Sequence, residues 1–289
     1  MISLLDKEFF QLALLAALLV GLCAPAVGTF IVQRRLALLG DGIGHVALTG
    51  VALGFLTGRA PLVTAVLVSV AGAVAIELVR ARGRTSGDVA LALLFYGGIA
   101  GGVMLMGIAP GGSNAKLNSY LFGAIASVTS EDIWIIGGLA VAVIGVVVVF
   151  GRELFVLCQD EEMARASGLP VRFLSLLIAV TAALTVVIAM RVVGLLLVSA
   201  LMVIPVATSQ QVTRGFRSTM ALAMLLGVVA SVGGLLSSSL SARVPPGAAI
   251  VLLALAGFVL ALGVGRFVRR GRTQESTVSE QPTRVREVA

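Results

Sequence analysis

The sequence predicts an all-α membrane protein, a polytopic bundle with eight or nine transmembrane helices. Three observations predict it. Charged residues make up 12% of the 289, about half the share usual in a soluble domain, while hydrophobic residues reach 58%. The mean hydropathy is +1.09. The apolar residues are gathered into runs, most of them near the ~20 residues with which a helix crosses hydrocarbon.

In order, the runs fall at about 9–32, 36–57, 60–79, 88–109, 131–150, 173–189, 192–208, 219–239 and 247–265. The first is read as a retained span, because "MISLLDKEFF" has acidic residues and no basic region of the kind that precedes a cleaved signal. The seventh is the least distinct. Residues 173–208 are almost unbroken apolar sequence, too long for one crossing, and "AMRVVG" with Arg191 and Gly194 is the natural break. Arginines then orient the set. Arg34 and Arg35, Arg80, Arg82 and Arg84, Arg152, Arg165 and Arg172, and Arg214 and Arg217 fall in alternate loops, and Arg266 to Arg272 in the tail. The remaining loops hold single charges: Arg59, Lys116, Arg191 and Arg243. The positive-inside rule places the first set in the cytoplasm, the N-terminus outside and the C-terminus inside. The net charge of +7 is therefore topology, and no nucleic-acid partner is expected.

Between the spans, "AKLNSYLFGAIASVTSED" (115–132) reads as a re-entrant or interfacial piece on the outer side. "ELFVLCQDEEMARASGLPVR" (153–172) reads as a short cytoplasmic helix, with Asp160, Glu161 and Glu162 suiting its positive end and Gly168 with Pro170 stopping it. Such a helix either docks a partner or lies on the bilayer surface. Residues 266–289 are polar, which predicts a disordered cytoplasmic tail after a transmembrane domain of 1–265. Cys23 and Cys158 lack any metal or disulfide spacing and read as small apolar fillers. Gly40/Gly44, Gly50/Gly54, Gly97/Gly101 and Gly98/Gly102 stand four apart, which lets helix backbones approach closely.

Chemistry concentrates in "GDGIGHVALTG" (40–50), where Asp41 and the only histidine, His45, stand one helical turn apart. A carboxylate and an imidazole at that spacing lie on one helix face and reach the same ion. The plainer readings are a helix cap, or a partner of Arg34 or Arg35, for Asp41, and a hydrogen-bonded core residue for His45. Glu77 is expected to pair with nearby arginines and Asp88 to cap the fourth span. The glycines at 40, 42 and 44 are dense enough to weaken a helix, and a broken stretch there would set the pair deeper than a simple span start.

The sequence also lacks chemistry. No GxxxxGK[ST] loop is present, so this chain does not hydrolyse ATP; HExxH and GxSxG are absent too. The intramembrane carboxylates that usually couple ions in a secondary carrier are nearly missing. That points to a pore-forming transport subuniti whose energy comes from a partner, not to an enzyme.

Four ordered blocks resemble the zinc/manganese family of ABC importer permeases: "FIVQRRLALLGDGIGHVALTGVALGFLTG" (30–58), "LNSYLFGAIASVTSEDI" (117–133), "ARASGLPVRFLSLLIAVTAALTVVIAMRVVGLLLVSALMVIPVATS" (164–209) and "VPPGAAIVLLALAGFVL" (244–260). The resemblance implies a multi-pass permease of a bacterial plasma membrane, paired with a second copy around one path. It implies two cytoplasmic ATPase subunits and an extracytoplasmic metal-binding protein as partners, with Zn2+ or Mn2+ as cargo and no permanently bound cofactor. The family's metal-path residues fall on Asp41 and His45. Its ATPase-coupling segment falls on about 159–170, including Asp160, Glu161, Glu162, Ala164 and Gly168, although "CQDEEMARASG" departs from the usual aromatic-Asp-Pro-Glu opening. A two-fold axis would bring two aspartates and two histidines together, the four N/O ligands that zinc prefers and manganese accepts. The rival readings are an ion-coupled secondary metal transporter and the same importer carrying iron or a metal chelate.

Overall fold

The computed structural model describes residues 8–81, 87–109, 119–123, 129–190, 193–240 and 244–279, with side chains assigned for most of them. They form helices and connecting turns, with no strand among the described residues. The helices are α1 (Glu8–Gln33), α2 (Leu39–Thr57), α3 (Pro61–Ala81), α4 (Gly87–Ile108), α5 (Ser130–Gln159), α6 (Glu161–Ala166), α7 (Val171–Met190), α8 (Leu195–Val212), α9 (Phe216–Ser239) and α10 (Pro246–Ser279). Eight of these are long and apolar enough to cross a membrane, and the apolar stretch Leu197–Val212 of α8 is a shorter ninth. The indistinct seventh run is thus the short one.

The break expected at "AMRVVG" falls between Met190 and Leu195, with Gly194 at φ +90°. Arg191 lies outside the described residues. A Cβ on Gly194 would strike the backbone of residues 121–123, so the turn seats a piece of the outer segment directly on itself. Tyr120 of that piece is buried and meets Phe55, near the end of α2, edge-on at 6.0 Å. Residues 115–118 and 124–128 of the expected outer piece lie outside the described residues. Asp132 closes a capping box with Thr129 at the start of α5.

Two expectations are corrected. The fifth span does not end near residue 150: α5 runs 30 residues to Gln159, about 45 Å, against a hydrocarbon core of about 30 Å. Residues 153–159 therefore finish α5, and the separate short helix begins only at Glu161. Secondly, α2 is continuous through Gly40, Gly42 and Gly44. Each glycine costs a lone helix about 1 kcal/mol, but the close packing of α8 and α4 on this turn offsets it. α10 extends to Ser279, and residues 280–289 of the tail expected from residue 266 lie outside the described residues.

Backbone contact between helices holds the bundle. A Cβ on Gly28 of α1 would collide with the carbonyl of Met202 in α8, and one on Gly21 would come within 2.7 Å of Val228 Cα in α9. Gly50 and Gly54 admit α3, and Gly98 and Gly102 of α4 admit α2. Gly97 faces open space. Gly28→Ala should therefore lower stability by about 3 kcal/mol, since the obstacle is backbone and cannot rotate away. Gly97→Ala should be neutral or slightly stabilising. Thermal unfolding of both variants in detergent checks the contrast.

Candidate functional site

Asp41 lies in the first turn of α2, where the exposed N–H groups of the helix end favour a carboxylate without a cation beside it. It is half-buried, and Ser199 Oγ of α8 donates to its Oδ1 at 3.4 Å. Neither Arg34 nor Arg35 pairs with it: Arg34 donates to Ser175 Oγ at 2.7 Å and to Glu161 Oε2 at 3.1 Å instead. One turn further on, His45 is 7% exposed, and its Nδ1 is buried with no hydrogen-bond partner. The reading of His45 as a hydrogen-bonded core residue has no bond to support it at that nitrogen. Phe95 of α4 meets the imidazole edge-on, with centroids 4.5 Å apart.

That contact exists because α4 comes unusually close. A Cβ on Gly98 would stand 2.7 Å from the His45 backbone, and Thr49 Oγ1 donates to the Gly98 carbonyl at 2.8 Å. On the other side, Gly40 and Gly44 face Met202 and Leu195 of α8. Asp41 and His45 thus occupy one face pressed between α8 and α4. Among the described residues no three metal-ligating side chains of His, Cys, Asp or Glu come together. Two donors on one chain hold a divalent ion only with ligands from elsewhere.

The second candidate region is α6. Asp160 is a one-residue break of extended backbone (φ −155°, ψ 117°), and its side chain accepts from the Glu162 and Met163 amides. At the far end Gly168 takes φ +78°, with its N–H bonded to the Arg165 carbonyl and that of Leu169 to the Ala164 carbonyl. This pair of bonds closes the helix as a Schellman motif. Ala164 is fully buried, while Glu161, Glu162, Met163 and Arg165 are exposed. Of the five residues singled out from sequence, Asp160, Ala164 and Gly168 build the helix, and Glu161 and Glu162 stand on its outer face.

A family model described as the ABC 3 transport family matches residues 6–265. The chain belongs to the ABC 3 transport family. Curated relatives of this ABC 3 protein include the manganese transport system membrane protein MntC of Halalkalibacterium halodurans, 34% identical over 90% of this chain and 88% of that one. Another is the manganese import system permease protein ScaB of Streptococcus gordonii, 32% identical over 92% of this chain and 95% of that one. Among solved structures, PsaBC from Streptococcus pneumoniae in complex with Fab superposes with a TM-score of 0.81, at 33% identity, covering 90% of this chain and 95% of that one. The ABC 3 match and the eight apolar helices make this a multi-pass protein of a bacterial membrane.

Sequence reasoning missed Ser199, Phe95 and Met163 in this ABC 3 protein, and it read Arg34 as a topology signal or a partner of Asp41, not as the partner of Glu161 and Ser175. Ser199 and Phe95 reach the site only through tertiary packing. Arg34 had no local signal in the sequence, because Arg35 stands where glycine usually ends a helix; in the structure Arg35 sits at φ 58° while the Leu36 N–H bonds back to Ile31 and that of Arg35 to Val32. A second Schellman motif thus ends α1, with Arg34 at its cap. Glu77 pairs with Arg80 at 2.9 Å, as the sequence suggested, and the Asp88 side chain lies outside the described residues. Arg34→Ala removes two bonds from a side chain that is 9% exposed, but Glu161 is 47% exposed, so solvent recovers part of the loss. We expect α6 to loosen by about 1 kcal/mol, and Asp160→Ala to do the same through its cap. Faster amide exchange confined to residues 161–169 checks both.

Proposed function

We propose that this chain is the permease subunit of an ATP-driven importer of a divalent transition metal ion, manganese foremost, and that two copies enclose one path. The observation that carries the reading is His45 Nδ1, buried and without a partner one turn from Asp41, in a chain of the ABC 3 transport family. A two-fold pair would offer two carboxylates and two imidazoles. Carboxylate oxygen suits manganese, the cargo in the printed names of MntC and ScaB. The same four N/O donors favour zinc as the second reading. Ser199 steadies Asp41 by one long bond, which leaves the carboxylate available to a passing ion. A transport site gains by binding loosely enough to release.

Energy comes from a separate cytoplasmic ATPase, which docks on the outer face of α6 through Glu161, Glu162, Met163 and Arg165. An extracytoplasmic binding protein delivers the ion at the opposite end, around the 119–123 turn and Gly194.

Uptake of labelled manganese and zinc in cells stripped of their own importers tests this, with the chain expressed alongside its ATPase and binding protein. Asp41→Ala and His45→Ala at matched membrane levels should each cut uptake by about tenfold or more. Normal uptake in both variants would make the pair structural. Uptake that persists without the ATPase would favour an ion-coupled carrier, and competition by ferrous iron or a chelate would name a different cargo.

A further inference from the structure

At the cytoplasmic end, α5 and α9 lie against α1 and leave between them a cleft of about 990 Å³. Phe30 at the end of α1 forms its floor, and Phe216 meets both Phe30 at 5.4 Å and Phe155 at 4.7 Å. Arg152 and Arg217 line it from the two sides. Neither has a hydrogen bond or ion pair among the described residues. This sets them apart from Arg34, Arg80 and Arg165, each of which is paired with a carboxylate of this chain. Glu153 also lines the cleft, and its Oε2 is buried without a hydrogen-bond partner.

The surroundings define what fits. Arg152 and Arg217 mark the cytoplasmic boundary by the positive-inside rule, so the cleft stands at headgroup depth. Val148, which also lines it, is 76% exposed, and Val141, seven residues earlier on the same face of α5, is 74% exposed. An apolar strip therefore leads from the cleft toward the bilayer interior. Basic pockets between helices on the cytoplasmic side hold anionic lipid headgroups. Two arginines and one glutamate leave one net positive charge, the complement of a phosphodiester whose headgroup is otherwise neutral. A headgroup with its own ammonium would bring a third cation to the two arginines.

We propose that this cleft is a binding site for an anionic glycerophospholipid with a hydroxyl-bearing headgroup, namely phosphatidylglycerol. Its phosphate lies between Arg152 and Arg217, a headgroup hydroxyl donates to the Glu153 carboxylate, and an acyl chain follows the valine strip of α5.

Native mass spectrometry of the full-length chain, purified in detergent, stripped of lipid and titrated with short-chain phospholipids, tests the site. Phosphatidylglycerol should bind in preference to phosphatidylethanolamine and phosphatidylcholine. Arg152→Gln with Arg217→Gln should weaken it by about tenfold or more, whereas Arg165→Gln with Arg172→Gln, an equal loss of charge on other elements, should not. Each single variant is measured as well, so a poorly folded double variant does not decide the outcome. Glu153→Gln removes a negative charge from beside the phosphate and the carboxylate that accepts from the headgroup hydroxyl, so it should tighten phosphatidic acid relative to phosphatidylglycerol. Equal binding of phosphatidylcholine, or unchanged binding in the arginine variants, would overturn the proposal. So would efficient disulfide cross-linking between two copies through cysteines placed at Val148 and Met220, which would show that a second chain fills the cleft.

Discussion

The rest of the bundle depends on helix backbones meeting without side chains between them. In lipid an apolar side chain gains little by leaving one neighbour for another, so close packing and interhelical hydrogen bonds do the work that hydrophobic burial does in water. α1 acts as a spindle, touched by α8 at Gly28 and by α9 at Gly21. The pair of α2 and α4 obeys the same rule at Gly98, and that approach brings Phe95 onto His45. The chemistry of the candidate site is thus set by a residue with no side chain of its own. A larger residue at Gly98 would displace the histidine without altering any donor.

At the cytoplasmic end, polar bonds replace backbone contact. The carboxylate of Glu161 joins Arg34 and Arg165, and Arg34 also reaches Ser175 on α7. One guanidinium therefore ties together the end of α1, the short helix α6 and the start of α7. Such a fork holds three elements in one geometry, which a lysine, with a compact charge on a flexible stem, does not.

Most of the helices were legible in the sequence, because hydrophobic run length and the placement of arginines report directly on hydrocarbon thickness and sidedness. Asp41 and His45 were legible too, as the polar pair in a run where each polar group is costly. The end of α5 was not. Helix formation does not stop at the membrane surface, and "GRELFVLCQ" has neither glycine nor proline after its first residue to stop it, so only the Asp160 cap ends the helix. The continuity of α2 was hidden for the converse reason, since its glycines weaken a lone helix but permit the neighbours that steady it. Ser199, 158 residues from Asp41, reaches it only through the packing of α8 on α2, which no local pattern encodes.

The single extended residue at Asp160 has a mechanical consequence. Because α5 and α6 share no continuous hydrogen-bond ladder, a push on the exposed Met163 is not carried along the axis of α5. The load passes sideways through the Arg34–Glu161 bond into α1 and α7, whose membrane stretches are the most enclosed in the protein. From α1 it crosses the locked turn at Arg35 and arrives at the first turn of α2, where Asp41 stands. The short helix is thus tied to the inner shaft of the bundle by one ion pair and hinged to its outer wall at the single residue Asp160.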